Sequence, residues 1–173
     1  MPAIRRPIQG AVTEITVTQG TRALTYVLRD SNGRTLVDDL LLPVVDRPNS
    51  FKQNLQALIP VYSMARAFFL QDVQQARRHS GRLIDQQVWE PLGRIPDLSV
   101  DAVQHLTLPV RALAMTEDRA DLSLGAGSLQ TQLTLVRVDD RFVINEATFI
   151  TGPDPSQRVQ LSRAGRLNLA AGE

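Results

Sequence analysis

The chain has 173 residues, of which 43% are hydrophobic and 21% charged, and its 19 basic side chains nearly balance its 18 acidic ones. A net charge of +1 gives no electrostatic reason to expect a nucleic acid or an acidic membrane surface as a partner. The absence of cysteine excludes disulfides, thiolate zinc ligands, iron–sulfur clusters and thiol catalysis.

The length fits one domain of ordinary size, or one domain and a fragment. The first ten residues, MPAIRRPIQG, lack the apolar segment that follows the basic residues of a signal peptide. The cytoplasm is therefore the default expectation, although an exported chain whose signal has been removed would look the same. Lys52 is the only lysine beside 18 arginines, a bias typical of GC-rich bacterial genomes. No apolar run approaches 18 residues, so no membrane-spanning segment is expected.

Patterns in the first third of the chain predict an antiparallel sheet. Residues 1–11 hold two prolines and two adjacent arginines and predict a flexible lead-in. From Val12 onward β-branched residues alternate with polar ones, which is the period of a half-buried strand. Asn32-Gly33 favours a tight hairpin turn, because both residues accept positive φ angles. Residues 12–48 are therefore predicted to form a three-stranded meander that ends at Pro43 and the loop after it.

Helices are predicted in the middle of the chain. Asn49 or Ser50 can cap a helix over the apolar segment that follows, because either side chain can accept a backbone N–H. Pro60 predicts either a kink in this helix or the start of a second one. Asp72 is positioned to cap a further helix, which Gly81 is expected to stop.

A last short helix is predicted to end at Gly93, with Trp89 and Leu92 facing inward. After Asp101, stretches of alternating residues joined by short turns predict an antiparallel meander of three to four strands with one buried face. The polar residues 151–173 predict a mobile tail unless it pairs with a sheet edge. Strands, helices and strands in separate blocks indicate an α+β protein.

Alternation also predicts which faces of the last strands are buried. In the strand over residues 129–139, the leucines are expected to meet the core together with Thr131, and Arg137 to extend from the rim of that face. In the next strand, Val143 and Phe149 are expected on the outer face, which must meet water or a partner. This face predicts a homodimer that buries on the order of 800 Å² per subunit. Cover by the chain's own N-terminal meander is the alternative.

Several segments carry a family resemblance. One is the end of a helix, with a small residue followed by aromatic ones. Another is a helix in which an aromatic residue and a leucine close the open end of a cone-shaped sheet, and the rest are long strands joined as hairpins. Their sequences are ARAFFLQDVQQARR, VWEPLGRIPDL, TLPVRALAMTEDRADLSLG and LTLVRVDDRFVINEATF. Over residues 61–149 they resemble the nuclear transport factor 2-like superfamily, which includes ketosteroid isomerases and polyketide-cyclase-like proteins. The resemblance implies helices packed on a curved, cone-like antiparallel sheet over residues 49–150, with the N-terminal meander as an addition. The closing turn of the family is often Asp-Gly followed by Trp, whereas this chain has Asp139-Asp140-Arg141-Phe142.

The resemblance also implies a cavity between the long helix and the concave face of the sheet. The residues expected to line it are Tyr62, Arg66, Phe69, Trp89 and Leu92. An isomerase of this family uses a buried carboxylate base and a tyrosine or protonated acid that holds the oxyanion. Tyr62 is a conceivable donor. Asp121 is the nearest candidate for the base, but it shares its strand face with Arg119 and Ser123 and fits a solvent-facing acid better.

Little else in the sequence carries chemistry. His79 lies among arginines on a polar helix and is expected to face solvent, and His105 begins an alternating strand as an ordinary sheet residue. The adjacent carboxylates Asp38-Asp39 and Asp139-Asp140 would point to opposite faces of a strand, so no metal site is expected. The sequence contains no phosphate-binding glycine loop and no nucleophile elbow, and no cofactor is expected.

The sequence therefore predicts a non-catalytic bacterial binding or interaction module. It would have a small apolar pocket, a sheet-mediated self-association surface, or both. The alternative is a small cofactor-independent enzyme of the ketosteroid isomerase or polyketide cyclase type. A carboxylate inside the pocket, within hydrogen-bond reach of Tyr62, would favour the enzyme.

Overall fold

The computed structural model describes residues 4–7, 12–19, 22–31, 34–42 and 49–164. In these residues the chain forms two antiparallel five-stranded sheets, with a group of helices between them in the sequence. The protein is therefore α+β, as the succession of strands, helices and strands predicts. It divides into two compact units, Met1–Leu55 and Gln56–Glu173.

The first unit contains a sheet in which each strand pairs with the next one along the chain. Its strands are β1 (Ile4–Pro7), β2 (Val12–Gln19), β3 (Arg22–Ser31), β4 (Arg34–Leu42) and β5 (Asn49–Ser50). The strands predicted for the meander correspond to β2, β3 and β4. Their register places Thr16 opposite Thr25, with a hydrogen bond of 2.9 Å between the two hydroxyls.

β1 lies inside the segment predicted to be a flexible lead-in, so that prediction is wrong for residues 4–7. Arg5 of β1 is paired with Ile15 of β2. This pairing satisfies backbone N–H and C=O groups along an edge of β2 that would otherwise be open. The turn predicted at Asn32-Gly33 and the loop predicted from Pro43 lie outside the described residues.

The longest helix, α1 (Phe51–Leu70), begins where its capping residues predict. The hydroxyl of Ser50 accepts a hydrogen bond from the N–H of Gln53 at 3.0 Å. The carboxylate of Asp39, in β4, accepts a hydrogen bond from the N–H of Lys52 at 2.9 Å. Both bonds satisfy N–H groups of the first turn, which have no partner inside a helix.

Of the two alternatives predicted at Pro60, the start of a second helix is wrong, because one helix of 20 residues runs through this position. The side chains that α1 buries lie along one side of it: Ala57, Pro60, Val61, Met64, Ala65, Ala67 and Phe68. Pro60 lies on this buried side.

Four short helices and a π-helical turn follow α1. They are α2 (Val73–Arg78), α3 (Arg82–Ile84), the π-helical turn (Asp85–Trp89), α4 (Glu90–Leu92) and α5 (Ala102–Leu106). As predicted, the carboxylate of Asp72 caps α2 by accepting the N–H of Gln75 at 3.0 Å, and α4 ends at Gly93 with a φ of +61°. Among the described residues, no helix is long and apolar enough to cross a membrane.

Gly81 does not stop a helix, in contrast to the prediction. α2 already ends at Arg78, and Gly81 precedes α3. The N–H of Gly81 donates a hydrogen bond to the carbonyl of Ile144 at 2.6 Å. A Cβ atom at this position would lie 2.8 Å from the side-chain oxygen of Asn145 and 3.1 Å from its Cα. A larger residue at position 81 would therefore require Asn145 to shift, because the chain approaches the neighbouring strand closely here.

The second sheet contains β6 (Val110–Met115), β7 (Arg119–Ala126), β8 (Leu129–Val138), β9 (Arg141–Ile150) and β10 (Arg158–Gln160). The first four form the predicted meander, and β10 pairs with the free edge of β9. The first strand starts later than predicted, because residues 102–106 are the helix α5. The carboxylate of Asp101 caps α5 by accepting the N–H of Gln104 at 2.9 Å.

The helices cover one face of the second sheet. On β8 the predicted inner face is confirmed for Leu133, Leu135 and Thr131, which are buried. Leu129 of the same face is only half-buried. Arg137 lies at the rim as predicted, with its guanidinium 4.6 Å from the centroid of the Phe142 ring.

Phe149 belongs to the core and not to the outer face, so this prediction is wrong. Thr134 of β8 pairs with Glu146, but Leu135 pairs with Ile144, which leaves Asn145 as an extra residue in β9. This β-bulge shifts the alternation by one residue. Ile144 and Phe149 consequently face the same, buried side.

The predicted tail contains ordered residues up to position 164. Arg158 of β10 pairs with Ile150 of β9, and residues 161–164 are helical. Leu161 is fully buried in the hydrophobic core. The sheet-edge alternative therefore holds for residues 158–164, and residues 165–173 lie outside the described part of the chain.

Candidate functional site

Three of the five predicted pocket residues lie on an exposed side of α1. Tyr62 is 50% exposed, Phe69 is 73% exposed, and Arg66 is also exposed. Their spacing of four and three residues places them on one side of the helix. Ile59 and Leu70 are exposed on the same side. We call these five residues the α1 stripe. The opposite side of α1 packs on the core, and that Tyr62, Arg66 and Phe69 line a pocket stays a prediction.

The remaining two predicted pocket residues contribute to packing. Trp89 is buried, as predicted, with 1% of its surface exposed. Its indole N–H donates to the hydroxyl of Ser80 at 2.7 Å, and its ring meets Phe68 edge-on with the centroids 6.1 Å apart. Leu92 is half-buried against the core. None of the five predicted residues is among those that line the cleft described next.

A cleft of about 350 Å³ lies elsewhere in the second unit, between the end of α1 and the segment that leads into α5. We call it the α1–α5 cleft. It is lined by Phe68, Gln71, Arg94, Ile95, Pro96, Asp97, Leu98, Val100, Asp101, Ala102 and Val103. The apolar lining residues are buried or half-buried, whereas the four polar ones are exposed. The cleft thus has an apolar floor and a polar rim.

Local hydrogen bonds hold the segment that forms the floor. Gly93 reverses the chain after α4 with its left-handed conformation. The carboxylate of Asp97 accepts the N–H of Ser99 at 3.2 Å, and Ser99 itself adopts a positive φ of +51°. Asp101 then caps α5. These interactions place Leu98 inward, where it is 4% exposed.

This cleft was not predicted, because residues 94–101 fall between the last predicted helix and the predicted meander. A signal was present in the spacing of Ile95, Leu98 and Val100, three apolar residues in a short stretch that also contains turn-forming residues. Apolar side chains in a loop indicate that the loop packs on something. The contribution of Phe68 had no such signal, because it adjoins Phe69 and pattern alone does not separate them.

The charges of the cleft stand at its rim. Arg94, Asp97 and Asp101 are all exposed, and the carboxylate of Asp101 is already used as a helix cap. No carboxylate lies on the apolar floor, and Tyr62 is not among the lining residues. The arrangement that would favour an isomerase, a carboxylate within reach of Tyr62 inside the pocket, is therefore not found in the α1–α5 cleft.

His105 is buried and makes structural contacts. Its Nδ1 atom lies 3.1 Å from the carbonyl oxygen of Gln130 and 3.0 Å from the hydroxyl of Thr131. The ring also meets Phe149 edge-on. Burial lowers the pKa of His105, which the hydrogen bond to Gln130 and the charge of Asp101 only partly oppose. Through its contacts with Gln130 and Thr131, His105 ties α5 to β8.

The other titratable groups singled out in the sequence have ordinary partners. His79 is half-buried and not fully solvent-facing as predicted, and burial together with Arg141 and Arg78 lowers its pKa. Asp121 is exposed, as predicted. The hydrogen bonds from Arg119, at 2.8 Å each, lower the pKa of Asp121.

The acidic pairs do not form metal sites in the described part of the chain, where no three His, Asp or Glu side chains cluster. Asp38 contacts the ammonium group of Lys52 at 3.1 Å. Asp39 caps α1, and burial opposes its ionisation, but the hydrogen bonds from Ser50 and two backbone N–H groups outweigh this and lower its pKa. Asp139 and Asp140 form a turn with positive φ angles of 47° and 62°.

The chain is thus an α+β protein with an open cleft of about 350 Å³, whose lining combines apolar and polar side chains. No family model, curated protein or solved structure matches the sequence significantly.

Proposed function

We propose that the protein is a non-catalytic binding module that holds a small apolar ligand in the α1–α5 cleft. The observation that carries this proposal is the lining of the cleft. Buried Phe68, Ile95 and Leu98 form its floor, and its charged groups stand at the exposed rim. A volume of about 350 Å³ is within the range of small-molecule sites. An apolar ligand would gain the free energy of burying its surface on such a floor.

The alternative, an isomerase or cyclase, has less support. General base catalysis in a dry pocket needs a carboxylate near the substrate carbon, and burial is what raises the pKa of such a base. Asp97 and Asp101 are exposed rim residues. Tyr62, the expected oxyanion donor, lies on the α1 stripe. No observation in the described residues favours this second function.

Membership of the nuclear transport factor 2-like superfamily is part of the proposal. It is supported by the order of the elements in the second unit, where α1 to α5 precede the meander β6 to β9. It is also supported by the packing of α1 and the following helices on one face of that meander. The pocket residues implied by the resemblance give it no support.

Trp89 provides a direct readout for ligand binding. It is the only tryptophan, and its ring contacts Phe68, which lines the cleft. The probe is N-phenyl-1-naphthylamine, an uncharged aromatic amine with one phenyl and one naphthyl group, whose absorption overlaps tryptophan emission. We expect saturable energy transfer from Trp89 to the probe, and competition by small apolar molecules.

Two matched variants separate the cleft from other apolar surfaces. Val100→Asp places a charge in the cleft wall and should weaken probe binding about tenfold or more, which corresponds to about 1.4 kcal/mol. Val138→Asp places the same charge at an exposed position of β8 and should leave binding unchanged. If Val100→Asp does not fold by circular dichroism, Val103→Thr replaces it. Equal binding by the native chain and the folded cleft variant contradicts the proposal.

A further inference from the structure

The α1 stripe is an apolar surface that is exposed in the described part of the chain. Its apolar members are exposed to 57% (Ile59), 50% (Tyr62), 73% (Phe69) and 51% (Leu70). Scattered exposed apolar residues are common, but here they adjoin one another along a single helix side. We infer that the α1 stripe is an interface for a second copy of the same chain, with the two α1 helices packed antiparallel. This inference does not depend on ligand binding in the α1–α5 cleft.

The order of the residues along α1 makes the stripe self-complementary. An isologous dimer requires a surface that matches itself after a two-fold rotation. In an antiparallel pair centred on position 64, Ile59 faces Phe69 of the second copy, and the half-buried Leu58 faces Leu70. Each contact then occurs twice, with apolar side chains on both sides.

The same register gives the one charged member of the stripe a partner. Arg66 faces Tyr62 of the second copy near the two-fold axis. A guanidinium over a tyrosine ring is a favourable cation–π contact, worth about 0.5–2 kcal/mol depending on desolvation. No acidic residue occurs between positions 51 and 70. α1 therefore presents no carboxylate to Arg66, and the tyrosine of the second copy is the partner that the pairing supplies.

The available area fits a dimer of moderate strength. With the exposed fractions above and full areas of about 150–250 Å² for aromatic side chains, the stripe presents on the order of 500 Å² per copy. Two copies would bury about 1,000 Å², which is the lower limit for a specific interface. An area at this limit fits a concentration-dependent dimer, whose affinity the area alone does not fix.

Sedimentation of the full-length chain over about 1–200 μM tests the interface. The native chain should pass from a 19.1 kDa species to one of twice that mass. Phe69→Glu, at the most exposed position of the stripe, should remain monomeric because it places a carboxylate opposite Ile59 of the second copy. Leu83→Glu is the matched control, since Leu83 is exposed outside the stripe, and it should dimerise like the native chain.

The absence of cysteine allows the register to be tested by crosslinking. A mixture of Ile59→Cys and Phe69→Cys chains should form a disulfide-linked heterodimer on mild oxidation. In this heterodimer the second Ile59–Phe69 contact is unchanged, because each chain keeps one of the two native residues. Phe69→Cys alone should not crosslink, because the two copies of position 69 are ten residues apart along the paired helices, which is about 15 Å. Efficient crosslinking of Phe69→Cys with itself overturns the antiparallel arrangement.

Two further outcomes overturn the inference. One is a native chain that stays at 19.1 kDa throughout. The other is a dimer that persists in Phe69→Glu. If Val138→Asp then abolishes that dimer, the interface lies on the outer face of β8 instead. The proposed function is tested separately, because probe binding in the α1–α5 cleft should be the same in Phe69→Glu as in the native chain.

Discussion

His105 makes the stability of the second unit dependent on pH. Its pKa in the folded chain lies below the ordinary value of 6.5, mainly because the ring is buried. The unfolded chain therefore binds a proton more readily, and folding is favoured most above the unfolded pKa. His79 acts in the same direction, since burial and neighbouring arginines also lower its pKa.

We expect the free energy of unfolding to be constant from about pH 8 to 7 and to fall as the pH decreases from about 6.5 to 5. Urea denaturation at each pH measures this, and the carboxylates contribute little in that interval because they titrate lower. His105→Gln removes the titrating ring and should make the profile flatter. A profile as steep in His105→Gln as in the native chain would show that other groups cause the dependence.

Side chains differ in how far their environment can be predicted. Trp89 and the inner leucines of β8 follow from alternation and from their apolar character. The environment of His105 does not follow from the sequence. A polar ring near the start of an alternating stretch resembles a sheet residue, but in the structure it lies on the short helix that Asp101 caps. Phe68 and Phe69 are adjacent and chemically identical, so only the packing of α1 decides that Phe68 is buried and Phe69 exposed.

At the scale of elements, Gly81 fixes how the chain leading into α3 approaches β9. Gly81→Ala should lower the free energy of unfolding by about 1–3 kcal/mol, because the new Cβ overlaps both the side chain and the Cα of Asn145. Arg82→Ala, at the exposed next position, should change it by less than about 0.5 kcal/mol. Thermal and urea unfolding of both variants measure the difference. Equal stability of Gly81→Ala and the native chain would mean that the contact with Asn145 is looser than described.

The succession of elements was predictable, but several of their ends were not. Helix caps such as Ser50, Asp72 and Gly93 can be predicted from the sequence, because they act on the adjacent helical turn. Ser50 and Asp72 accept its backbone N–H groups, and Gly93 adopts the positive φ angle that ends a helix. The bulge at Asn145 has no local signal, because it arises from how β9 pairs with β8. One extra residue was enough to move Phe149 from the predicted outer face to the core.

At the scale of the whole molecule, the sequence correctly indicates an α+β protein with an N-terminal meander. The candidate site was less predictable. The five expected pocket residues followed from a family resemblance, and they assume a cavity whose walls come from α1 and a sheet. The α1–α5 cleft is formed instead by a loop segment, whose position depends on the packing of Ile95, Leu98 and Phe68 and not on a motif.

The central claim is that the α1–α5 cleft is the ligand site, and amide chemical shifts of the isotope-labelled full chain test it most directly. On titration with N-phenyl-1-naphthylamine, the account predicts that the largest shift changes occur at Phe68, Gln71 and residues 94–103. The changes should be saturable, and in Val100→Asp they should require at least about tenfold more probe. Changes confined to the α1 stripe, or spread over the surface without saturation, would contradict the claim.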